Sequence, residues 1–157
     1  MLLAPILLLL LSGCGVYTLN PRGKSSYKTI AVEPFENKTP EFGITDQLTT
    51  IIIDAFIADG SMKVVSASNA DVILTGTLLD YKREANVFTG TDQVQSYKVL
   101  MSFEIALEKG SDQSVIWKEN IDEQGLYNAN TETEQDGQKR AGDLLVQAIL
   151  NKTTKSW

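Results

Sequence analysis

Tyr97-Lys98-Val99-Leu100-Met101-Ser102-Phe103-Glu104-Ile105-Ala106-Leu107-Glu108 sets Tyr97, Val99, Met101, Phe103, Ile105 and Leu107 on one parity, with mostly polar or small residues on the other. A period of two held for a dozen residues is that of a β-strand with one face in a core and the other largely wet. Such a strand needs paired neighbours and a layer to cover its apolar face. The reading therefore works outward from it.

Downstream, Lys109-Gly110-Ser111-Asp112 is a hairpin turn. It leads to a last strand in which Val115, Trp117 and Ile121 point one way, with Trp117 and Tyr97 as core residues. Residues 122–133 are polar and read as loop. A closing helix covers about residues 134–152, with Ala141, Leu144, Leu145, Ala148 and Ile149 on one face. Upstream, a strand runs from Val72 to Tyr81, extendable through Lys82–Ala85 to a turn at Phe88-Thr89-Gly90-Thr91-Asp92. Residues 62–66 form a short strand and residues 28–35 a first one, whose end is marked by Pro34 because proline cannot donate to a ladder. Between them Thr39 is placed as the N-cap, and Pro40 as the first residue, of a helix reaching Asp59, with Gly60 closing it. Ile44, Leu48, Ile51, Ile52, Ala55 and Phe56 form its apolar face.

The order is β-α-β-β-β-β-α. Each helix has one face to bury, so the expected fold is α+β: a two-layer sandwich, two helices on one face of a mostly antiparallel (mixed) four- to five-stranded sheet. The first strand, helix and second strand suit a parallel crossover.

The chain has 157 residues with a net charge of −6, which offers no global positive field for nucleic acid. It contains no histidine and a single cysteine, Cys14. The commonest general base and the commonest transition-metal ligand are thus both missing, and Ser-His-Asp or Cys-His catalysis is excluded. No phosphate-cradling glycine motif is present. Acidic pairs such as Asp71 and Asp80 read as solvated surface; Asp122-Glu123 and Glu132-Glu134-Asp136 lack EF-hand spacing. No catalytic residue, metal site or cofactor is expected.

Cys14 closes the run Leu-Ser-Gly-Cys after an apolar stretch of about 10 residues. That length is short for a membrane span, which needs about 20, and suits a signal-peptide core. The expected organisation is a lipoprotein signal peptide (1–13), a lipidated tether (14–27) and a single domain (28–157). Cys14 is the lipid-attachment residue, a thioether to diacylglycerol plus an acylated amine giving stable anchoring where one chain would not. No Lys or Arg precedes the apolar core, a departure from the usual charged n-region. Gly15, rather than Asp, follows Cys14, which fits export to the outer membrane in enteric-type sorting.

Several stretches taken in order resemble the LptE family of lipopolysaccharide-assembly lipoproteins. They are Cys14-Gly15-Val16-Tyr17-Thr18-Leu19, Ile30-Ala31-Val32-Glu33-Pro34-Phe35-Glu36-Asn37-Lys38-Thr39, Ala70-Asp71-Val72-Ile73-Leu74-Thr75-Gly76, Tyr97-Lys98-Val99, Val115-Ile116-Trp117 and a closing helix near Trp157. The resemblance implies a non-enzymatic protein on the periplasmic face of the outer membrane. It would plug a large β-barrel translocon, LptD, and contact lipopolysaccharide. The AVEPFENKT stretch also occurs loosely in lipoproteins that activate cell-wall synthases or form oligomeric secretion pores, and these are the alternatives.

Lys82, Arg83 and Lys98 lie near the hairpin and are the candidate lipopolysaccharide contacts, since Lys and Arg make charge-assisted bonds to anionic oxygen. An ordinary solvated strand face, with Glu84 beside them, is the competing reading. Phe88 and Thr89 are the candidate partner contacts. Phe88 reads either as an anchor for a partner's pocket or as a residue closing the sheet's end. Some LptE-like proteins carry a base at this tip, whereas Phe88–Asp92 has none.

Overall fold

The computed structural model describes residues 27–155. The expected signal peptide, nearly all of the tether, Cys14 and Trp157 lie outside the described residues. The elements are β1 (Thr29–Val32), β2 (Glu36–Asn37), α1 (Ile44–Asp59), β3 (Lys63–Val64), β4 (Val72–Phe88), β5 (Val94–Lys109), β6 (Val115–Asn128) and α2 (Glu134–Lys155). This is the expected α+β order with a two-residue strand, β2, added. The sheet runs β3-β1-β4-β5-β6, with β2 against β4. Pairings β1–β3, β1–β4 and β2–β4 are parallel, whereas the long β4–β5 and β5–β6 pairings are antiparallel. The sheet is mixed, and the β1–α1–β3 unit is the parallel crossover.

The alternating stretch behaves as its pattern demands. Val99, Met101, Phe103, Ile105 and Leu107 are buried, and the opposite parity is partly exposed except for Ala106. Leu74 and Leu78 from β4, Ile52 and Phe56 from α1, and Leu145 and Ile149 from α2 complete the core. Burying each such side chain contributes about 1.5–3 kcal/mol.

Four local expectations are corrected. The first helix begins at Ile44, not at Thr39-Pro40. Both the amide and the hydroxyl of Thr39 donate to Asn37 Oδ1 at 2.8 Å, so the segment closes as an Asn-centred turn. The chain enters α1 only after Gly43, whose φ of +78° is open to glycine at no steric cost. Secondly, the acidic stretch expected to be loop is strand as far as Asn128, paired with β5 down to Ser96. Its inward positions include Gly125, where α2 comes so close that an added Cβ would lie 1.8 Å from the carbonyl oxygen of Gly137. A strand without a side chain there offers no apolar periodicity to read. Thirdly, Val115 is exposed, whereas Trp117 and Ile121 pack on the core. A register shift between Leu107 and Glu108 falls at Ile116, so Val115 and Trp117 do not share a face. Finally, Leu144 is exposed while its neighbours Leu145 and Val146 are buried.

The start of α2 is capped by a side chain of its own first turn. Asp136 Oδ2 accepts from the amide and the hydroxyl of Thr133, each at 2.8 Å. These bonds hold the Asp136 carboxyl below the ordinary carboxylate range. At the other end of the molecule Asp71 accepts from the backbone amides of Lys28 and Thr29 at 2.8 and 3.0 Å, and its carboxyl is lowered for the same reason.

Candidate functional site

β4 and β5 outrun the helix layer. Every residue from Lys82 to Gln93 is exposed, and beyond Ser96, where the pairing with β6 ends, β4 and β5 continue alone as a two-stranded ribbon. Register shifts at Leu78/Asp80, Ala85/Val87 and Val87/Phe88 interrupt the ladder, and such bulges add local twist. The tip turns on Thr89. Its amide donates to the Gln93 carbonyl at 2.8 Å and its hydroxyl accepts from the amides of Thr91 and Gln93 at 3.3 and 3.2 Å. Phe88 is 57% exposed and Val87 is exposed beside it. Phe88 therefore does not close the core; it stands at the tip. Between Ala85 and Tyr97 the one charged residue is Asp92. The outer part of the ribbon thus carries a single charge among mostly uncharged polar residues.

The ribbon's base is tied to α2 by polar side chains on the inner face. The Arg83 guanidinium lies 3.8 Å from the centroid of the Tyr97 ring and 5.9 Å from that of Tyr127, and these two rings stack with centroids 5.5 Å apart. Arg83 Nε donates to the Tyr127 hydroxyl and lies 3.5 Å from Glu134 Oε2. The Tyr81 hydroxyl donates to Glu134 Oε1 at 2.6 Å and accepts from Gln138 Nε2 at 2.8 Å. Burial, then Glu134, pushes the Tyr81 hydroxyl far above its ordinary value. Both helices begin near this base, since Glu41, just before α1, takes a bond from Gln138 at 3.4 Å.

The three candidate basic residues are separated by the pleat. Arg83 belongs to the inner-face cluster just described. Lys82 and Lys98 lie on the outer face, Lys82 paired with Asp80 and Lys98 with Glu84 at 3.2 Å. Tyr81, Tyr127, Glu134 and Gln138 had no signal in the sequence as a group, because only the β4–β5–β6 register brings them to α2. Phe42, 93% exposed just before α1, is a further solvent-facing aromatic that periodicity does not single out.

A cleft of about 520 Å³ lies along β4–β6, with Asp80, Lys82, Asp122 and Glu123 at its rim and Leu100 and Leu144 among its apolar walls. Burial, then Asp122, raises the Glu123 carboxyl above its ordinary value. Among the described residues no cluster of acidic, His or Cys side chains is arranged to hold a metal, and no helix is long and apolar enough to cross a membrane.

The fold and ribbon define a class: a small two-layer α+β domain whose central hairpin projects as a lightly charged arm. Residues 27–153 match the family model LptE, described as lipopolysaccharide-assembly, and the chain belongs to that family. Solved structures share the fold at low identity. A protein from Xanthomonas campestris has 13% identity and a TM-score of 0.58, covering 86% of each chain. An uncharacterised lipoprotein B from Nitrosomonas europaea has 12% identity and a TM-score of 0.56, covering 85% of this chain and 88% of that one. A PelC dodecamer from Paraburkholderia phytofirmans has 19% identity and a TM-score of 0.51, covering 81% and 87%. A search of curated proteins finds no sequence match.

Proposed function

We propose that this protein is a non-enzymatic lipoprotein of lipopolysaccharide assembly, anchored through Cys14 to the periplasmic face of the outer membrane. Residues 1–13 are its signal peptide, residues 14–27 its tether, and residues 28–157 a domain that binds and plugs an LptD-like β-barrel. The observation that carries this reading is the exposed, lightly charged ribbon on an LptE-family domain. A wide barrel has a lumen to fill, and a narrow two-stranded arm tipped by Phe88 and Thr89 suits entry into it. Lys82 and Lys98 are the residues offered to lipopolysaccharide phosphates. Each is paired with a partly exposed carboxylate. Exposed pairs of this kind contribute about 0–1 kcal/mol, so exchanging a carboxylate for a phosphate costs little. Arg83 serves instead to hold the ribbon's base. The role needs no cofactor and no nucleic acid.

Depletion in the native cell tests this reading. Reduced surface lipopolysaccharide together with loss of assembled barrel supports it. Normal surface lipopolysaccharide with impaired wall synthesis would favour the synthase-activator alternative. Metabolic labelling with a fatty-acid analogue tests the anchor: label is expected in the parent and absent from Cys14→Ser, and equal label in both would sink the lipid-attachment claim.

A further inference from the structure

β6 is the outermost strand of the sheet and pairs on one side only, with β5. That ladder runs without a shift from Ser96 opposite Asn128 to Leu107 opposite Trp117. Just past its end, Ala129 donates its amide to the Gln95 carbonyl at 3.0 Å. Antiparallel neighbours exchange bonds at alternate residues, so the odd-numbered residues from Trp117 to Tyr127 bond to β5. The even-numbered ones turn both amide and carbonyl to the free edge.

Near Asn128 the protein closes this edge itself. Glu132 Oε2 accepts from the Asn128 amide at 2.7 Å, the Glu132 amide donates to the Asn128 carbonyl at 3.1 Å, and Arg140 Nη1 donates to the Leu126 carbonyl. From Lys118 to Gln124 none of the described residues does so. Lys118, Asn120, Asp122 and Gln124 are all exposed. Each offers one amide and one carbonyl, in a row about 20 Å long. Such a row is a template for another strand.

The side chains along the row select that strand. Lys118 is paired with Glu104 at 2.8 Å, and Glu119 with Lys152. Asp122 and Glu123 have no ion pair among the described residues. A second copy of this chain does not suit the row. Antiparallel pairing about Ile121 sets Glu119 opposite Glu123 twice, and pairing about Asp122 or Glu123 sets that acid opposite itself. Like charges directly opposite destabilise a strand pair. Pairing about Asn120 brings Asp122 to Lys118, which Glu104 already holds.

We propose that the free edge of β6 from Lys118 to Gln124 binds an extended segment of a partner protein by strand addition, with basic side chains of that segment meeting Asp122 and Glu123. The backbone bonds supply affinity, and the uncompensated acids choose the partner. This surface is separate from the ribbon tip and does not depend on which protein the tip meets.

The test places a photo-crosslinking amino acid at position 124 of the full-length tagged protein in the native cell, with adducts mapped by mass spectrometry to the cross-linked peptide. One dominant adduct is expected, to another protein, in a stretch richer in Lys and Arg than in Asp and Glu. Asn120→Pro removes one outward amide and puts a proline ring into the edge, while the β5 ladder uses neither backbone group of Asn120. It should reduce the adduct several-fold with unchanged circular dichroism. The combined Asp122→Asn and Glu123→Gln substitutions, which leave the backbone alone, should do the same and carry the test if the proline variant unfolds. An adduct undiminished in a folded variant, no adduct, or adducts only to this chain, in itself or in a second copy, would overturn the proposal. Hydrogen exchange checks the geometry: the amides of Asn120 and Asp122 should exchange many-fold faster than those of Ile121 and Glu123. Equal rates would also overturn it.

Discussion

The Arg83 guanidinium lies 3.8 Å above the ring of Tyr97, a contact that ties the two strands at the ribbon's base to each other. Lys82, one residue earlier, faces the other way and pairs with Asp80. Adjacent residues of a strand point to opposite faces, so two basic side chains that look alike in the sequence have different work. Arg83 joins β4 to β6 through Tyr127 and to α2 through Glu134.

Arg83→Ala is therefore expected to lower stability by about 1–2 kcal/mol, the scale of one cation–π contact plus one charged hydrogen bond discounted for partial exposure. Lys82→Ala should stay within about 0.5 kcal/mol of the parent. Urea unfolding of the two variants decides it. Equal losses would show that the inner-face cluster carries no special weight.

Phe103 is fully buried, and Ser102 faces the outer side of the same strand. Phe103→Asp should abolish folding, because an unpaired buried carboxylate costs several kcal/mol, comparable to a domain's stability of about 5–15 kcal/mol. Ser102→Asp should leave a cooperative thermal transition. Similar melting for both would contradict the register.

Helix and sheet approach closely at Gly125, where a methyl group would meet the backbone of Gly137. Gly125→Ala must push α2 off β6 and is expected to cost about 2–4 kcal/mol. Gly90, at the ribbon tip, has open space around its Cβ direction, and Gly90→Ala should be near neutral. A comparison of melting temperatures checks this. A harmless Gly125→Ala would mean that the helix does not sit this close.

Glu123 is a carboxyl held above its ordinary value by burial and by Asp122. The folded state therefore disfavours its charged form, and the cost is present at neutral pH and disappears at pH values low enough to protonate it in both states. Glu123→Gln should raise the melting temperature slightly at pH 7 and leave it unchanged near pH 3. A lower melting temperature at pH 7 would contradict this. Asp71 and Asp136 have the opposite sign, with carboxyls lowered by backbone hydrogen bonds first of all. Their contribution is complete above the ordinary carboxylate values and is lost as pH falls through their depressed folded ones.

How far the sequence could be read follows from where its physics was local. The 97–108 alternation announces a strand because each apolar residue needs the same buried face, and the face of α1 was legible for the same reason. The start of α1 was not: Thr39-Pro40 has good cap chemistry, but Asn37 competes for the Thr39 donors. The strand from Asp122 to Asn128 was hidden because its inward positions are Glu123, Gly125 and Tyr127, a series with no apolar period. The ribbon's length was half legible. Lys82–Ala85 suggested an extension, whereas exposure as far as Phe88 depends on where the helices stop. The cluster around Arg83 depends on residues up to 57 positions apart, as with Tyr81 and Gln138, and no local pattern encodes that.

The central claim is that the ribbon tip engages a large outer-membrane barrel. A photo-crosslinking amino acid at position 88, in full-length tagged protein expressed in the native cell, tests it most directly, with position 111 as the comparison. The account predicts one dominant adduct from position 88, identified by mass spectrometry as an LptD-like β-barrel, and no barrel adduct from position 111. Adducts from position 88 only to a soluble cell-wall synthase, or only to further copies of this chain, with no barrel recovered, would contradict it.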